Sequence, residues 1–276
     1  MKYYFFGDIH GNLPALERVL AHARQVGADR VICLGDLVGW LPWGDRILER
    51  VRGLGLAAVA GNHDLMVAGA FPDLPQMSDR RQASAFNAGL LTRVPGAREY
   101  LLGLPLTLEG PGFLAVHHSP FHLPPPGLAP DIGCFGYLDE AALAASLPAW
   151  RDFPVGLILS GHDHQAGVFE LADQADAPQV HRPAGLAPLE LPLAEGRRYW
   201  VKAGSVGGPY RDGVAAAGSV LLDTEGPRLT LFRLPYPLAG LRRELAGAPY
   251  LAALPTLQDY LALLDRQMAT LEGADF

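Results

Sequence analysis

The sequence predicts an α/β fold whose first half is built on a mostly parallel sheet. Two observations carry this. Short apolar runs alternate with amphipathic helical segments from the start of the chain, and each of the first three runs stops at Gly followed by Asp or Asn. A β-α-β-α-β order implies right-handed crossovers, and ligands of such sheets gather at the carboxyl ends of the strands.

The elements follow in order. Lys2 to Phe6 is aromatic and strand-like, ending in Gly7-Asp8. Leu13 to Val26 has helical periodicity through Leu16, Val19 and Leu20, with Pro14 tolerated in the first turn. Arg30 to Leu34 reads as a second strand, Trp43 to Leu54 as a second helix, and Leu56 to Ala60 as a third strand. A helical middle spans about Arg80 to Leu102. Five further strands are expected at Phe113 to His117, Val155 to Leu159, Arg198 to Lys202, Gly218 to Asp223 and Arg228 to Leu234. Two proline-rich stretches, Phe121 to Cys134 and Ala177 to Pro192, read as long surface loops. A last helix near 256–272 opens on Thr256 with Asp259 as a variant capping box. Its stripe of Leu257, Tyr260, Leu261, Leu264, Met268 and Leu271 is expected to pack on the core.

Composition narrows the class. The 276 residues are 49% hydrophobic and 18% charged, enough for a sizeable core and too apolar for a disordered chain. A net charge of −7 argues against a broad basic surface for nucleic acid, though not against a small phosphorylated substrate held by a few local cations. The longest uncharged run, Gly110 to Pro130, is broken by prolines and histidines, so no membrane span is expected. The apolar run Tyr3 to Phe6 is too short for a signal peptide. Cys33 and Cys134 form no metal-type pair. A soluble cytoplasmic protein is the plain reading.

Histidine is the unusual residue. Of nine, five fall in clusters with Asp and Asn just past predicted strands: Asp8-Ile9-His10, Asp36, Asn62-His63, His117 and His162-Asp163-His164. A D-x-H or H-x-H pair on extended chain points both side chains to one face. A mixed Asp, His and Asn set without thiolates suits borderline to hard divalent ions, not a structural zinc or an iron–sulfur centre.

The blocks GDIHGN (7–12), GDLVGW (35–40), GNHD (61–64), VHHSP (116–120) and GHDH (161–164) resemble those of the calcineurin-like metallophosphoesterases in order and spacing. KAGSVGGPYRDG (202–213) extends the likeness toward the small bacterial phosphodiesterase branch. The resemblance implies a four-layer α-β-β-α sandwich of two mixed β-sheets flanked by helices. It implies a single domain over 1–276, with loop insertions near 121–137 and 172–196. It also implies two divalent metal ions, Mn²⁺ first, with Fe, Zn, Ni or Mg as alternatives. One would be held by Asp8, His10, Asp36 and His164, the other by Asp36, Asn62, His117 and His162. His63 would be the catalytic residue, facing the substrate. Two ions ~3.5–4 Å apart can hold a bridging hydroxide and clamp an in-line displacement.

Departures matter too. The protein-phosphatase branch carries G-D-x-V-D-R-G, whereas this chain reads Gly35-Asp36-Leu37-Val38-Gly39-Trp40, so its phosphate-binding Arg is missing. Arg211, with its neighbour Tyr210, is the best substitute; Lys202, Arg80 and Arg81 are further candidate cations. Ser119 and Ser205 read as structural, and Asp64 as a support for His63 or a helix cap. Asp163 reads as orienting a ligand or as a turn residue. His118 should point to the other side of the strand from His117, backing the ligands or serving structure rather than ligating; His122 reads as loop structure ahead of a substrate contact, and His22 and His181 read as ordinary surface residues. Trp40 and Trp43 are core residues or an aromatic wall, the former favoured. The expected activity is hydrolysis of a small phosphodiester or phosphomonoester, a nucleotide being the favoured class. A nuclease is the rival enzyme, and a non-catalytic scaffold, which should have lost ligands, the rival of another kind. Oligomeric state is left open.

Overall fold

In a computed structural model, residues 1–71, 79–125, 127–248 and 254–271 are described. The side chains of Arg80, Glu140, Pro255, Thr256 and Leu271 lie outside that description, and with them the readings of Arg80 as a cation and Thr256 as a cap.

Two mixed six-stranded sheets face each other. The first runs β3 (Ala57–Ala58), β2 (Arg30–Cys33), β1 (Lys2–Phe6), β11 (Ala217–Asp223), β12 (Arg228–Leu234), β9 (Leu189–Pro192). Its first three strands are parallel, as the β-α-β reading requires, and β11 joins β1 antiparallel with Phe5 opposite Val220. The second runs β4 (Thr107–Gly110), β5 (Phe113–Val116), β6 (Leu157–Ser160), β10 (Arg198–Ala203), β7 (Ala166–Leu171), β8 (Gln179–His181). Its centre, β5-β6-β10, is parallel.

Strand alternation builds the layers. In β1, Tyr3 and Phe5 face the other sheet, where Phe5 meets Phe113 edge-on at 5.1 Å. Tyr4 and Phe6 face outward into helices α1 (Leu13–Gln25), α2 (Gly44–Gly53), α7 (Leu238–Ala246) and α8 (Pro255–Leu271). On the far side α6 (Glu140–Asp152) lays Leu143, Leu147 and Trp150 onto Ile158, Phe169 and Trp200 of the second sheet. Each such buried side chain contributes about 1.5–3 kcal/mol. The expected four layers are therefore present.

Several elements differ from expectation. A short α3 (Asn62–Val67) follows β3, and the helical middle is split: α4 (Asp79–Leu91) and α5 (Ala97–Leu102) are separated around Pro95-Gly96, with Gly96 at φ 66°. The stretch read as a second loop holds β8 and β9. Each is a sheet edge, where a proline's missing N–H leaves no ladder bond unmade. Elements β4, α6, β7 and α7 were not expected; α6 hides behind an internal Pro148. The last helix buries Leu257, Tyr260 and Leu264 as expected, and Trp40 is a core residue meeting Tyr260 edge-on at 4.8 Å. His22 corrects its surface reading. It is buried, and its Nδ1 lies 2.8 Å from Tyr4 Oη, which donates to Ser219 Oγ. His181 is also more than a loop residue: it sits on β8, 2.8 Å from the Glu170 carboxylate. No described helix is long and apolar enough to cross a membrane.

Candidate metal centre

The carboxyl ends of β1, β2 and β3 in one sheet meet those of β5 and β6 in the other, and eight predicted side chains converge there. Asp8, His10, Asp36, Asn62, His117, His162 and His164 are all buried; His63 is half-buried. The convergence does not come from extended chain. Asp8, His10, Asp36, His162 and His164 have φ of 55°, 49°, 54°, 68° and 58°, the left-handed region. Each such residue costs on the order of 1–3 kcal/mol and persists where surrounding structure over-determines it. The preceding glycines make the close approach feasible. A Cβ on Gly161 would stand 2.6 Å from Asp8 Oδ2, and one on Gly61 would overlap Asp36 Oδ1.

The hydrogen bonds fix the tautomers. His117 Nδ1 lies 2.7 Å from the Leu34 carbonyl, which only accepts, so Nδ1 carries the proton. Its Nε2 lone pair then faces Asn62 Oδ1 at 3.1 Å and Asp36 Oδ2 at 3.4 Å. His164 repeats the device. Nδ1 donates to the Pro209 carbonyl at 2.8 Å, and Nε2 faces His10 Nε2 at 3.1 Å and Asp8 Oδ1 at 3.3 Å. His162 Nδ1 lies 2.9 Å from Asn62 Oδ1 and 3.3 Å from His117 Nε2. His117 Nε2 thus aims a lone pair at Asn62 Oδ1, and His164 Nε2 aims one at Asp8 Oδ1, an arrangement that positive charge between them reconciles. Asp36 joins the two knots, its Oδ2 also 3.6 Å from His10 Nε2. The donor set fits two divalent cations.

The electrostatics favour positive charge beside Asp36, which a proton on His117 supplies as a cation would. Burial opposes a charge on His117, yet the Asp36 carboxylate overrides it and raises the pKa to about 10. Against the same burial, His117 and His63 hold Asp36 well below the usual carboxylate range. Burial pushes His10 and His162 well below the ordinary imidazole value.

A surrounding set of contacts holds this arrangement. Asp64 caps a helix, as one of its readings has it, and braces a loop: Oδ2 accepts from Gly61 N at 3.0 Å at the start of the helix Asn62–Val67, and Oδ1 from Leu37 N and Val38 N at 2.8 and 3.2 Å. Ser205 Oγ donates to the Asp8 carbonyl, and Ser119 Oγ accepts from Phe121 N, so both serines are structural. Asp163 is buried; its Oδ2 stands 2.5 Å from Lys202 Nζ, and that ammonium also donates to the Leu138 carbonyl. Lys202 is thereby spent on Asp163 and Leu138.

Of the two predicted substrate residues, one is corrected. Tyr210 is buried, donating to the Val206 carbonyl and meeting Tyr236 Oη at 2.6 Å, so its hydroxyl belongs to an internal tyrosine cluster. Arg211 is exposed and reaches the centre through a residue the sequence did not single out. Its guanidinium lies 4.1 Å over the Tyr137 ring and donates to Tyr137 Oη, and Tyr137 stacks on His162 at 5.0 Å with 19° between planes. His118 stands beside a candidate ligand, one of its two expected places, though strand alternation does not put it there. The strand ends at Val116, so alternation no longer governs, and the His118 ring lies 5.1 Å from that of His162. Exposed His122 lies beyond it, 5.6 Å from His118.

The comparisons with known proteins agree with this geometry. The model of the calcineurin-like phosphoesterase family matches residues 1–166, a span that contains every candidate ligand. The chain is similar to a metallophosphoesterase from Sphaerobacter thermophilus, with 27% identity, a TM-score of 0.73 and coverage of 96% of this chain and 99% of that one. An uncharacterized protein of Methanocaldococcus jannaschii, MJ0912, is 29% identical over 245 residues, 84% of this chain and 86% of its own length. Phosphodiesterase YfcE of Escherichia coli is 40% identical over 74 residues, which is 23% of this chain and 40% of YfcE.

Proposed function

Because the chain belongs to the calcineurin-like phosphoesterase family and is thus a metal-dependent phosphoric ester hydrolase, we propose that it cleaves a small phosphodiester at a centre of two divalent ions. The observation that carries this is the pair of lone-pair knots joined by Asp36. Asp8, His10, Asp36 and His164 would hold one ion, and Asp36, Asn62, His117 and His162 the other. Mn²⁺ is the first choice, since the donors are oxygen and imidazole nitrogen without sulfur. When bound, the ions supply Lewis-acid charge and lower the pKa of the attacking water.

The chain's own residues do the rest. His63 stands at the open side of the centre, 4.7 Å ring-to-ring from His10, with its backbone N–H donating to Asp36 Oδ1 at 2.8 Å. From there it delivers a proton to the leaving oxygen. A Cβ on Gly39 would stand 2.7 Å from His63 Cβ, so glycine at that position leaves room for the ring. Arg211, parked on Tyr137, supplies the phosphate-binding cation that the protein-phosphatase motif would otherwise provide. A nucleotide leaving group is the favoured substrate class, given the long loop between β5 and α6 that borders the centre.

Hydrolysis of a bis-aryl phosphate and of cyclic nucleotides with Mn²⁺ tests this. His63→Ala is expected to lower kcat by about 10²–10⁴ with metal content retained. Arg211→Ala is expected to raise KM more than it lowers kcat. Undiminished turnover by His63→Ala would remove the assigned proton donor.

A further inference from the structure

His162 has two ring nitrogens and only one can face a cation while the imidazole stays neutral. Nδ1 is the one turned inward, toward Asn62 Oδ1 and the His117 Nε2 lone pair. Nε2 must then carry the proton. It is buried and has no hydrogen-bond partner among the described residues. A buried N–H left unpaired costs about 1–3 kcal/mol, so a nearby acceptor is expected.

One atom answers to that description. His118 Nδ1 is also buried and also without a hydrogen-bond partner among the described residues. The rings of His118 and His162 are 5.1 Å apart at 64°, and one ring nitrogen of each lies within 4.8 Å of the other and of an Asp163 carboxylate oxygen. That separation is one a single bridging water spans. Asp163 makes no hydrogen bond to His162 Nε2; its Oδ2 faces Lys202 and its Oδ1 accepts the Leu138 N–H at 3.1 Å. Nor does the group suit a third dication, since His162 would have to lose both ring protons beside the Lys202 ammonium.

We propose that His118 is a positioning residue for His162: its Nδ1 accepts the His162 Nε2–H through a single bridging water and so fixes the tautomer and ring orientation that present Nδ1 to a metal ion. Tyr137, stacked on the same ring, restrains its tilt. Outer partners of this kind set ligand basicity, and their loss typically weakens metal binding by about 10–100-fold. The inference rests on the proposed dinuclear reading, so its test must separate the two.

The experiment titrates Mn²⁺ and Co²⁺ into metal-free wild-type protein and three variants, reading affinity by calorimetry and ligand geometry by the Co²⁺ absorption spectrum. His118→Phe removes the acceptor. His118→Asn keeps an amide oxygen near the Nδ1 position, and His118→Gln moves it toward the Nε2 position. Wild type should bind two ions. His118→Phe and His118→Gln should weaken one of them by about 10–100-fold and alter the Co²⁺ spectrum, while His118→Asn should stay within about threefold of wild type. Equal losses in Asn and Gln would mean a merely structural residue and overturn the proposal even if His118→Phe does not fold. Wild-type affinity in all variants would overturn it as well. A third equivalent of metal lost in His118→Phe would replace it with a cation site. Wild type binding no metal would instead refute the dinuclear reading itself.

Discussion

At the scale of single residues, the chemistry depends on where protons and lone pairs are placed. The candidate ligands were legible because Asp, Asn and His recur just past apolar runs, a pattern of residue type that needs no tertiary knowledge. What the sequence did not reveal is how they converge. Five of them sit in left-handed backbone, a conformation imposed by packing around the turns and unfavourable for the residues themselves. Tyr137 escaped notice, and the place of His118 beside His162 was not foreseen, for a related reason: both lie outside regular strands, where no periodicity says which way a side chain points. His22 escaped because helical periodicity places it on a face without saying that Tyr4 and Ser219 await it there.

His22 also makes a prediction. Burial, and then the Arg18 charge, lower its pKa from 6.5. The folded state therefore binds fewer protons than the unfolded chain just below pH 6.5, and His22 subtracts stability as the pH falls through that value toward its folded pKa. His22→Asn retains a donor toward Tyr4 Oη and cannot titrate. The thermal midpoints of the two proteins, compared from pH 7.5 to 5, should move apart in favour of the variant as the pH drops. Parallel curves would mean that His22 does not titrate in this range.

At the scale of elements, the apolar runs of β1 and β2, buried on both faces, were legible from composition alone, whereas edges and capping pieces were not. Prolines disguised β9 and α6, and the long loop read from Phe121 to Cys134 holds, among its described residues, two short 3₁₀ turns, Pro120–His122 and Ile132–Phe135. One interaction binds such a loop to the centre. Lys202, on β10, is buried with Asp163 at 2.5 Å and donates to the Leu138 carbonyl at 2.9 Å, while Asp163 accepts the Leu138 N–H. It thereby anchors the segment that brings Tyr137 onto His162.

Breaking a buried pair by removing one partner leaves the other charge uncompensated, at a cost of about 3–5 kcal/mol. Lys202→Met should therefore lose about that much in denaturant unfolding. Lys202→Met with Asp163→Leu should recover much of it, because neither charge then needs burial. The double variant should still bind substrate poorly, since Tyr137 and Arg211 lose their anchor. A single variant as stable as wild type would show that the pair contributes little.

At the scale of the whole molecule, the α-β-β-α layering followed from helix-and-strand alternation only in the first half; the second sheet was expected through family likeness, and its register through Phe113, Leu157 and Tyr199 becomes evident only in the fold. The layering has a chemical consequence. Asp8, Asp36 and Asn62 come from the first sheet and His117, His162 and His164 from the second, so neither sheet alone carries a complete centre. Asp36 is the residue whose carboxylate faces both knots, 3.6 Å from His10 and 3.4 Å from His117. The most direct test is the metal content of wild type and Asp36→Ala after Mn²⁺ loading and desalting, measured by inductively coupled plasma mass spectrometry on folded protein. Two ions per wild-type chain and at most one in Asp36→Ala is the predicted result. Two ions retained without the Asp36 carboxylate, or fewer than one in wild type, would contradict a centre of two metals bridged by that residue.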